Sequence, residues 1–406
     1  YEGNKWQIKQ AAEAMTKAKK PVLYVGGGVI FAGASQELIE LAELTHMPVD
    51  MTLMGLGAFP GEHPQSMGML GMHGTYWANM VMHYSDLVVA IGARFDDRVT
   101  GKVSEFCPHA KVIHIDIDPT SIRKNVNVDI PIVGDCKLVL RELIQILRAT
   151  VNGDQRELRK PWWNQIREWQ QANPLAYQQE ADGPIKPQHV IQRLYELTKD
   201  RDPIVSTDVG QHQMWAAQYF KLAKPNRWLT SGGLGTMGFG FPAAMGAQAA
   251  FPGRLVLCIA GDGSIQMNMQ EMATAVVHKL PVKIIILNNR FHGMVRQWQD
   301  LFYEGRYASS YLETTPDFVK LAEAYGAVGL RASKPSEIVD VLKEAIAVNK
   351  PVIVDVPTYP YENVYPMIPA GGCNHEMILE DPPALKNKQS GVGQGASKDS
   401  DTILTA

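Results

Sequence analysis

The chain has 406 residues, 45% of them apolar and 20% charged, with a formal net charge of −3. At roughly 150 residues per domain, that length accommodates two or three domains with large cores. The near-neutral balance offers no basic field for nucleic acid or anionic lipid, and no apolar run approaches the ~18 residues of a membrane-spanning helix.

The four cysteines, Cys107, Cys136, Cys258 and Cys373, stand far apart with no CxxC, against a disulfide framework or zinc knuckle and in favour of a reducing compartment. The opening YEGNKWQIKQAAEAM has neither a signal peptide's apolar core nor an Arg/Ser-rich transit character. It lacks an initiator Met and begins inside a helical pattern, so it reads as the start of a segment from a larger protein.

Residues 6–20 carry apolar positions at helical spacing and stop at Lys19-Lys20-Pro21. PVLYV (21–25) reads as a buried strand ahead of Gly26-Gly27-Gly28. ELIELAEL (37–44) follows as an amphipathic helix. DLVVAIGA (86–93), KVIHIDID (111–118) and IPIVGD (130–135) are further strands, and KLVLRELIQILRA (137–149) is a helix. Strands alternating with helices imply βαβ units and a mostly parallel sheet, giving a first domain over residues 1–150.

Residues 151–187, rich in Pro, Gly and Trp, read as a linker containing one helix. A second alternating block follows. Its helix is PQHVIQRLYEL, and its strands are PIVS (203–206), RWLTS (227–231), LVLCIAG (255–261), PVKIIILNN (281–289) and PVIVDVP (351–357). The fold class is therefore α/β, with two doubly wound, mostly parallel-sheet domains, the second spanning 188–370. Residues 371–406 read as a C-terminal tail, Gly/Ser/Lys-rich and disordered from 385.

The strongest chemical signal is GDGSIQMNMQE (261–271) paired with LNN (287–289). Asp262 and Asn289 each follow an apolar strand and stand 27 residues apart, the length of a helical crossover. That places both at carboxyl ends of neighbouring parallel strands, where open α/β sheets bind ligands. A carboxylate and an amide oxygen are hard ligands suited to Mg²⁺, which keeps few protein carboxylates and shares its shell with substrate phosphates. Gly261 and Gly263 allow backbone N–H groups to close on a phosphate at a helix N-terminus near Ser264. Taken alone, GDG could equally be a strand-to-helix turn with an N-capping Asp.

GDG followed about 25–30 residues later by NN resembles the thiamine diphosphate signature. GDGSIQMNMQEMATA, ILNNRFHGMVRQWQ, DVGQHQMWAAQ, SGGLGTMGFGFPAAMGA, GMLGMHGT and GARFDDRVTGK are similar to acetohydroxyacid (acetolactate) synthase, large catalytic subunit, from about residue 20 to about 370.

The resemblance implies Mg²⁺ held by Asp262, Asn289 and the Phe291 carbonyl. It implies thiamine diphosphate contacts at Val209, Gly210, Gln211, His212, Gly235, Met237, Gly261, Asp262, Gly263, Ser264, Asn289, His292, Gly293, Met294 and Val295. Met237 would be the wedge that bends the cofactor, with core filling as the alternative. His212 could instead be a satisfied surface histidine. Trp298, with Met237 and Met294, would act on the substrate side and favour the larger second keto acid; as a helical aromatic beside Met294 it could also be ordinary core.

The first domain resembles the family's FAD-binding middle domain. Implied FAD contacts are Gly26, Gly27, Gly28, Thr52, Leu53, Gly71, Met72, His73, Gly92, Arg94, Asp96, Arg98, Val99, Asp116, Ile117, Asp135 and Cys136. The triple glycine is not a GxGxxG, since Phe31 holds the third position. Arg94 and Arg98 are pyrophosphate donors by this reading, or else a self-paired surface loop with Asp96 and Asp97. His46, His63, His83, His109, His114 and His278 lack metal-ligand spacing.

By the same resemblance the activity is decarboxylation of pyruvate on thiamine diphosphate. The two-carbon unit then condenses with pyruvate or 2-ketobutyrate, in branched-chain amino-acid biosynthesis. The catalytic Glu of the family's pyrimidine-binding domain matches no residue here, so the chain alone is expected to be nearly inactive. A homodimer or tetramer with a small regulatory subunit is implied. So is a cytoplasmic location in a bacterium, or a plastid or mitochondrial one in a eukaryote. A pyruvate oxidase or keto-acid decarboxylase of the same fold is the alternative, disfavoured by MVRQWQ and RFDDRVTG; a non-catalytic flavin-binding scaffold is disfavoured by the intact Asp262 and Asn289.

Overall fold

A computed structural model describes residues 1–151, 153–383 and 385. In the first half β1 (Pro21–Val25), β2 (Val49–Met51), β3 (Ser66–Met69), β4 (Leu87–Ile91), β5 (Lys111–Asp116) and β6 (Ile130–Val133) form one sheet in the order β3-β2-β1-β4-β5-β6. In the second half β7 (Ile204–Thr207), β8 (Trp228–Thr230), β9 (Val256–Gly261), β10 (Lys283–Asn288), β11 (Val328–Arg331) and β12 (Val352–Pro357) form another, ordered β11-β12-β10-β9-β7-β8. All pairings are parallel. Strands buried on both faces read as unbroken apolar runs, which is why β1, β4, β9, β10 and β12 are visible in the sequence. The edge strands β3 and β11, with the three-residue β2, are too short or too mixed to be read that way.

Each strand order reverses direction beside its first strand, at β1/β4 and at β7/β9. Those reversals open crevices at the carboxyl ends of the strands. The four cysteines are free and buried. Among the described residues no helix is long and apolar enough to cross a membrane.

Two expectations change. The helix inside the 151–187 segment, Gln155–Ala172, is part of the first domain's packing rather than a spacer. Arg159 is fully buried and donates to the carbonyl of Met15 at 2.7 Å and to that of Thr45. Trp162 and Trp163 join that domain's core and donate their indole N–H groups to the carbonyls of Pro21 at 3.2 Å and His46 at 3.0 Å. Each polar end is satisfied by strand-end or helix-end backbone, so the aromatic bodies can be buried.

The start of the tail is also anchored. Ile378 pairs with Met367, the Gly372 carbonyl accepts from the Lys102 N–H at 3.0 Å, and the His375 ring lies 4.1 Å from that of His83. Cys373 and Asn374 are buried. Gly372, Asn374, His375 and Met377 contact Lys102, Asn79 and His83 of the first domain, while Ile378 and Asp381 are held by Met367, Asn363 and Tyr365. The disorder expected from 385 onward concerns residues that, Leu385 excepted, lie outside those described.

Candidate functional site

The apolar strands β9 and β10 end side by side, with Leu287 in register with Gly261. The next residues carry the polar groups. Asp262, 1% exposed, opens a short helix whose N-cap is Gly261, so the N-capping reading of GDG does not hold. Its Oδ2 is buried without a hydrogen-bond partner. Burial lifts the carboxyl to about 7, against the pull of backbone N–H groups at Asp262, Gly263 and Arg290. Asn289 donates from Nδ2 to Gln211 Oε1 at 3.2 Å, and its Oδ1 accepts from the Phe291 N–H at 3.1 Å.

An unpartnered buried carboxylate is costly unless a cation meets it. Among the described residues no three His, Cys, Asp or Glu side chains converge on a metal position. Asp262 and Asn289 bring one carboxylate and one amide oxygen to adjacent strand tips, the hard-oxygen, single-carboxylate chemistry that suits Mg²⁺. The residues fit such an ion.

At the β7 end, Asp208-Val209-Gly210 leads into the helix Gln211–Tyr219. His212 is buried, its pKa pushed down to about 3, and its Nε2 has no partner, so it stands as a neutral imidazole. A Cβ on Gly261 would meet its ring at 3.0 Å, and one on Gly263 would lie 2.9 Å from the ring of His292. A Cβ on Gly293 would lie 2.0 Å from Gln211 Oε1. These glycines are therefore required by packing among the predicted contact residues themselves. Ser264 Oγ donates to the Val209 carbonyl at 3.3 Å, tying the β7 and β9 ends together. Asp208 escaped the sequence reading although it lies in DVGQH. It is fully buried, accepts from the Gly240 N–H at 2.7 Å, and is lifted to about 6 by burial.

A cavity of about 850 Å³ runs between the two sheets' carboxyl ends. From the first domain Gly26, Gly27, Gly28, Thr52, Leu53, Met72, His73, Gly92, Arg94, Asp96, Arg98, Val99 and Asp116 line it; from the second, Val209, Gly210, Gly235, Met294 and Trp298 do. Gly71, Ile117, Asp135 and Cys136 are not on its wall. Asp135 instead caps the helix Cys136–Thr150, accepting from the N–H groups of Lys137 and Leu138. Gln211, His212, Met237, Gly261, Asp262, Gly263, Ser264, Asn289, Phe291, His292, Gly293 and Val295 also lie off this wall. The wall also includes Tyr24, Met54, Gln213 and Met214, which sequence spacing did not single out.

Arg94 pairs with Asp96 at 2.9 Å and Arg98 with Asp97 at 2.8 Å, as the self-paired loop reading expects. Both guanidinium groups are nonetheless well exposed and border the cavity, so they remain available to an anion. His73 is buried and neutral, its pKa pushed down to about 4 by burial. Trp298 is half-buried, stacked edge-on to Phe302 at 5.3 Å. A glycine-lined cradle with two arginines at a sheet reversal fits a dinucleotide pyrophosphate.

Two parallel sheets whose ligand-bearing ends share one crevice define a two-domain α/β cofactor-binding protein. The chain belongs to the thiamine pyrophosphate enzyme family. Its residues 8–143 match the central domain and residues 208–356 the C-terminal TPP-binding domain. Membership implies thiamine diphosphate, with Mg²⁺ and FAD as the usual companions in this branch.

The chain is 52% identical over 380 residues to the acetolactate synthase isozyme 3 large subunit of Escherichia coli (strain K12), covering 93% of this chain and 66% of that protein. It is 51% identical over 381 residues to the acetolactate synthase large subunit of Haemophilus influenzae, covering 94% and 66%. To an acetolactate synthase of Mycobacterium bovis it is 50% identical over 376 residues, covering 91% and 60%. The chain thus spans less than two thirds of the length of these relatives.

Proposed function

We propose that this chain supplies the diphosphate, Mg²⁺ and flavin portion of an acetolactate synthase. The enzyme would decarboxylate pyruvate and join the two-carbon unit to pyruvate or 2-ketobutyrate, for branched-chain amino-acid synthesis. The observation that carries this reading is the unpartnered Oδ2 of Asp262 at the tip of β9, beside Asn289 at the tip of β10.

When bound, thiamine diphosphate supplies the electron sink that makes loss of CO₂ from a 2-keto acid possible. The chain's residues bind and orient. Asp262, Asn289 and the Phe291 carbonyl would hold Mg²⁺ against the diphosphate. The Val209–His212 turn, Gly235, Gly261, Gly263, Ser264, His292 and Gly293 would surround its phosphates. Met237, Met294 and Val295 would give the coenzyme apolar contact, and Trp298 would face the acceptor keto acid. Gly26–Gly28, Arg94, Arg98 and their neighbours on the cavity wall would hold FAD. Gly71, Ile117, Asp135 and Cys136 are retained as flavin contacts on the family pattern alone.

The relatives' designation as large subunits supports association with a small regulatory subunit, and their bacterial sources support a cytoplasmic location; a homodimer or tetramer is the assembly expected of the family pattern.

The test is thiamine diphosphate binding followed by intrinsic tryptophan fluorescence with and without Mg²⁺. Binding should require the ion, and Asp262→Ala should abolish that requirement together with tight binding. Metal-independent binding in both proteins would remove the reading. Product analysis distinguishes acetolactate from the acetate or free aldehyde of an oxidase or decarboxylase.

A further inference from the structure

We infer that Gln297 is a positioning residue that sets which atom of the Asn289 amide faces the metal. The inference rests on the metal reading above.

An asparagine side chain presents either an oxygen or an NH₂ group to a given direction, and only hydrogen-bond partners decide which. For Asn289 two sets of partners bear on it, the Phe291 N–H on its oxygen at 3.1 Å and a relay of buried amides on its nitrogen. Its Nδ2 donates to Gln211 Oε1 at 3.2 Å, which requires Gln211 to present oxygen. Gln211 can do so only if its own Nε2 meets acceptors on the other side. It meets Gln297 Oε1 at 3.0 Å and the Glu362 carbonyl at 3.0 Å.

Gln297 is itself an amide that could flip, but its partners are main-chain groups whose polarity is covalently fixed. The Val364 N–H donates to Gln297 Oε1 at 2.8 Å, and Gln297 Nε2 donates to the Val364 carbonyl at 3.0 Å. The peptide groups of Val364 thus dictate Gln297; Gln297, together with the Glu362 carbonyl, holds Gln211; and Gln211 takes the NH₂ end of the Asn289 amide, leaving its oxygen as the free acceptor end. The Phe291 N–H on that same oxygen agrees with this orientation.

Gln297 is fully buried, Gln211 is 3% exposed and Asn289 7%, so water does not compete for these bonds. In a dry site an unsatisfied or reversed amide is costly, and the chain of bonds reinforces itself. Gln297 lies on the helix Gly293–Phe302, whose Met294 and Trp298 line the cavity while Arg296 and Gln297 face the 362–367 segment. One helix therefore serves the cavity with one side and orients the metal amide with the other.

Partners that orient metal ligands typically alter metal affinity 10–100-fold when removed. The experiment is a Mg²⁺ titration of thiamine diphosphate binding by tryptophan fluorescence, beside a thermal melt of the ligand-free protein. Gln297→Met keeps the volume and removes the bonds. It should raise half-saturating Mg²⁺ by ~10-fold or more while coenzyme affinity at saturating Mg²⁺ changes little. Gln297→Glu, held neutral by burial, can still accept from Val364 N–H and Gln211 and donate to the Val364 carbonyl. It should restore half-saturation to within ~3-fold of the parent.

Equal half-saturation for parent and Gln297→Met overturns the inference, as does a Gln297→Glu defect equal to that of Gln297→Met. If Gln297→Met fails to fold, Gln297→Leu, which also removes the bonds, takes its place against the same ~10-fold threshold. Asp262→Ala separates the levels: if it leaves the Mg²⁺ requirement intact, the metal reading itself fails. If it abolishes the requirement while Gln297→Met has no effect, only the role of Gln297 fails.

Discussion

Gly26 and Gly92 cross at the carboxyl ends of β1 and β4 so closely that a Cβ on Gly26 would lie 2.1 Å from the Gly92 carbonyl oxygen. The contact is held by backbone hydrogen bonds, Gly26 N–H to the Ile91 carbonyl at 3.0 Å and Gly28 N–H to the Gly92 carbonyl at 3.1 Å. Gly92 also sits at φ +58°, where a side chain is strained. This crossing builds the floor of the first domain's crevice, and backbone cannot move aside as a flexible side chain can.

Gly26→Ala is accordingly expected to destabilise the protein by about 3 kcal/mol, the upper part of the range for forced overpacking. It should also lower flavin retention. Urea denaturation and the absorbance of flavin released from purified protein check both. A variant with unchanged stability and full flavin content would show that the crossing is looser than the geometry states.

On the proposed metal role, Asp262 would couple the ion to pH. In metal-free protein the folded state holds this proton up to about pH 7, whereas an unfolded aspartate releases it near 3.8. Between those values the folded state binds more protons, so this residue's contribution makes stability fall as pH rises through the window. Asp262→Asn removes that fall. The variant should match the parent near pH 4 and exceed it near pH 7, by an amount on the order of a few kcal/mol. Mg²⁺ with thiamine diphosphate should reverse the ranking. Thermal melts across the pH range, with and without the ligands, measure this; parallel curves would contradict it.

Asp202 shows the opposite sign. Arg227 at 2.9 Å, Arg254 at 2.7 Å and Lys224 at 3.4 Å surround its carboxylate, and hydrogen bonds from Arg227 hold its pKa far below the usual range. Its contribution is present above about pH 4 and lost as pH falls further. Asp202→Asn keeps the left-handed backbone at φ +49° tolerable. It should lower the melting temperature at neutral pH, with the gap to the parent narrowing below pH 4. A gap independent of pH would mean that the cluster acts through packing alone.

Trp298 borders the cavity at the end that also receives Met294. Trp298→Leu should lower the preference for 2-ketobutyrate over pyruvate as acceptor, while changing stability little because the ring is only half-buried. Competition assays that compare acetohydroxybutyrate with acetolactate in the assembled enzyme decide this. An unchanged product ratio with a large drop in melting temperature would return Trp298 to an ordinary packing role.

The strand tips that carry Asp262 and Asn289 were legible because these residues sit directly after strong apolar strands. LVLCIAG and PVKIIILNN announce their own ends, so Asp262 and Asn289 could be placed on adjacent strand tips from spacing alone. Gln297 was legible only as part of a motif, since its partner Val364 lies 67 residues away along a segment with no periodic signal. The burial of Arg159 was hidden for a similar reason, because a charged residue in a polar helix gives no sign that carbonyls of Met15 and Thr45 await it.

The amino-acid order by itself determined the two parallel α/β layers, the family pattern and the residue types offered to a cation and a pyrophosphate. These follow from local apolar runs, turn glycines and crossover lengths. Only the tertiary structure decided that the helix after residue 154 belongs to the first domain, that 371–381 is anchored, and that the two crevices merge into one cavity. Those outcomes depend on contacts between residues distant in sequence, whose burial and hydrogen bonds exist only after the sheets have formed and faced each other.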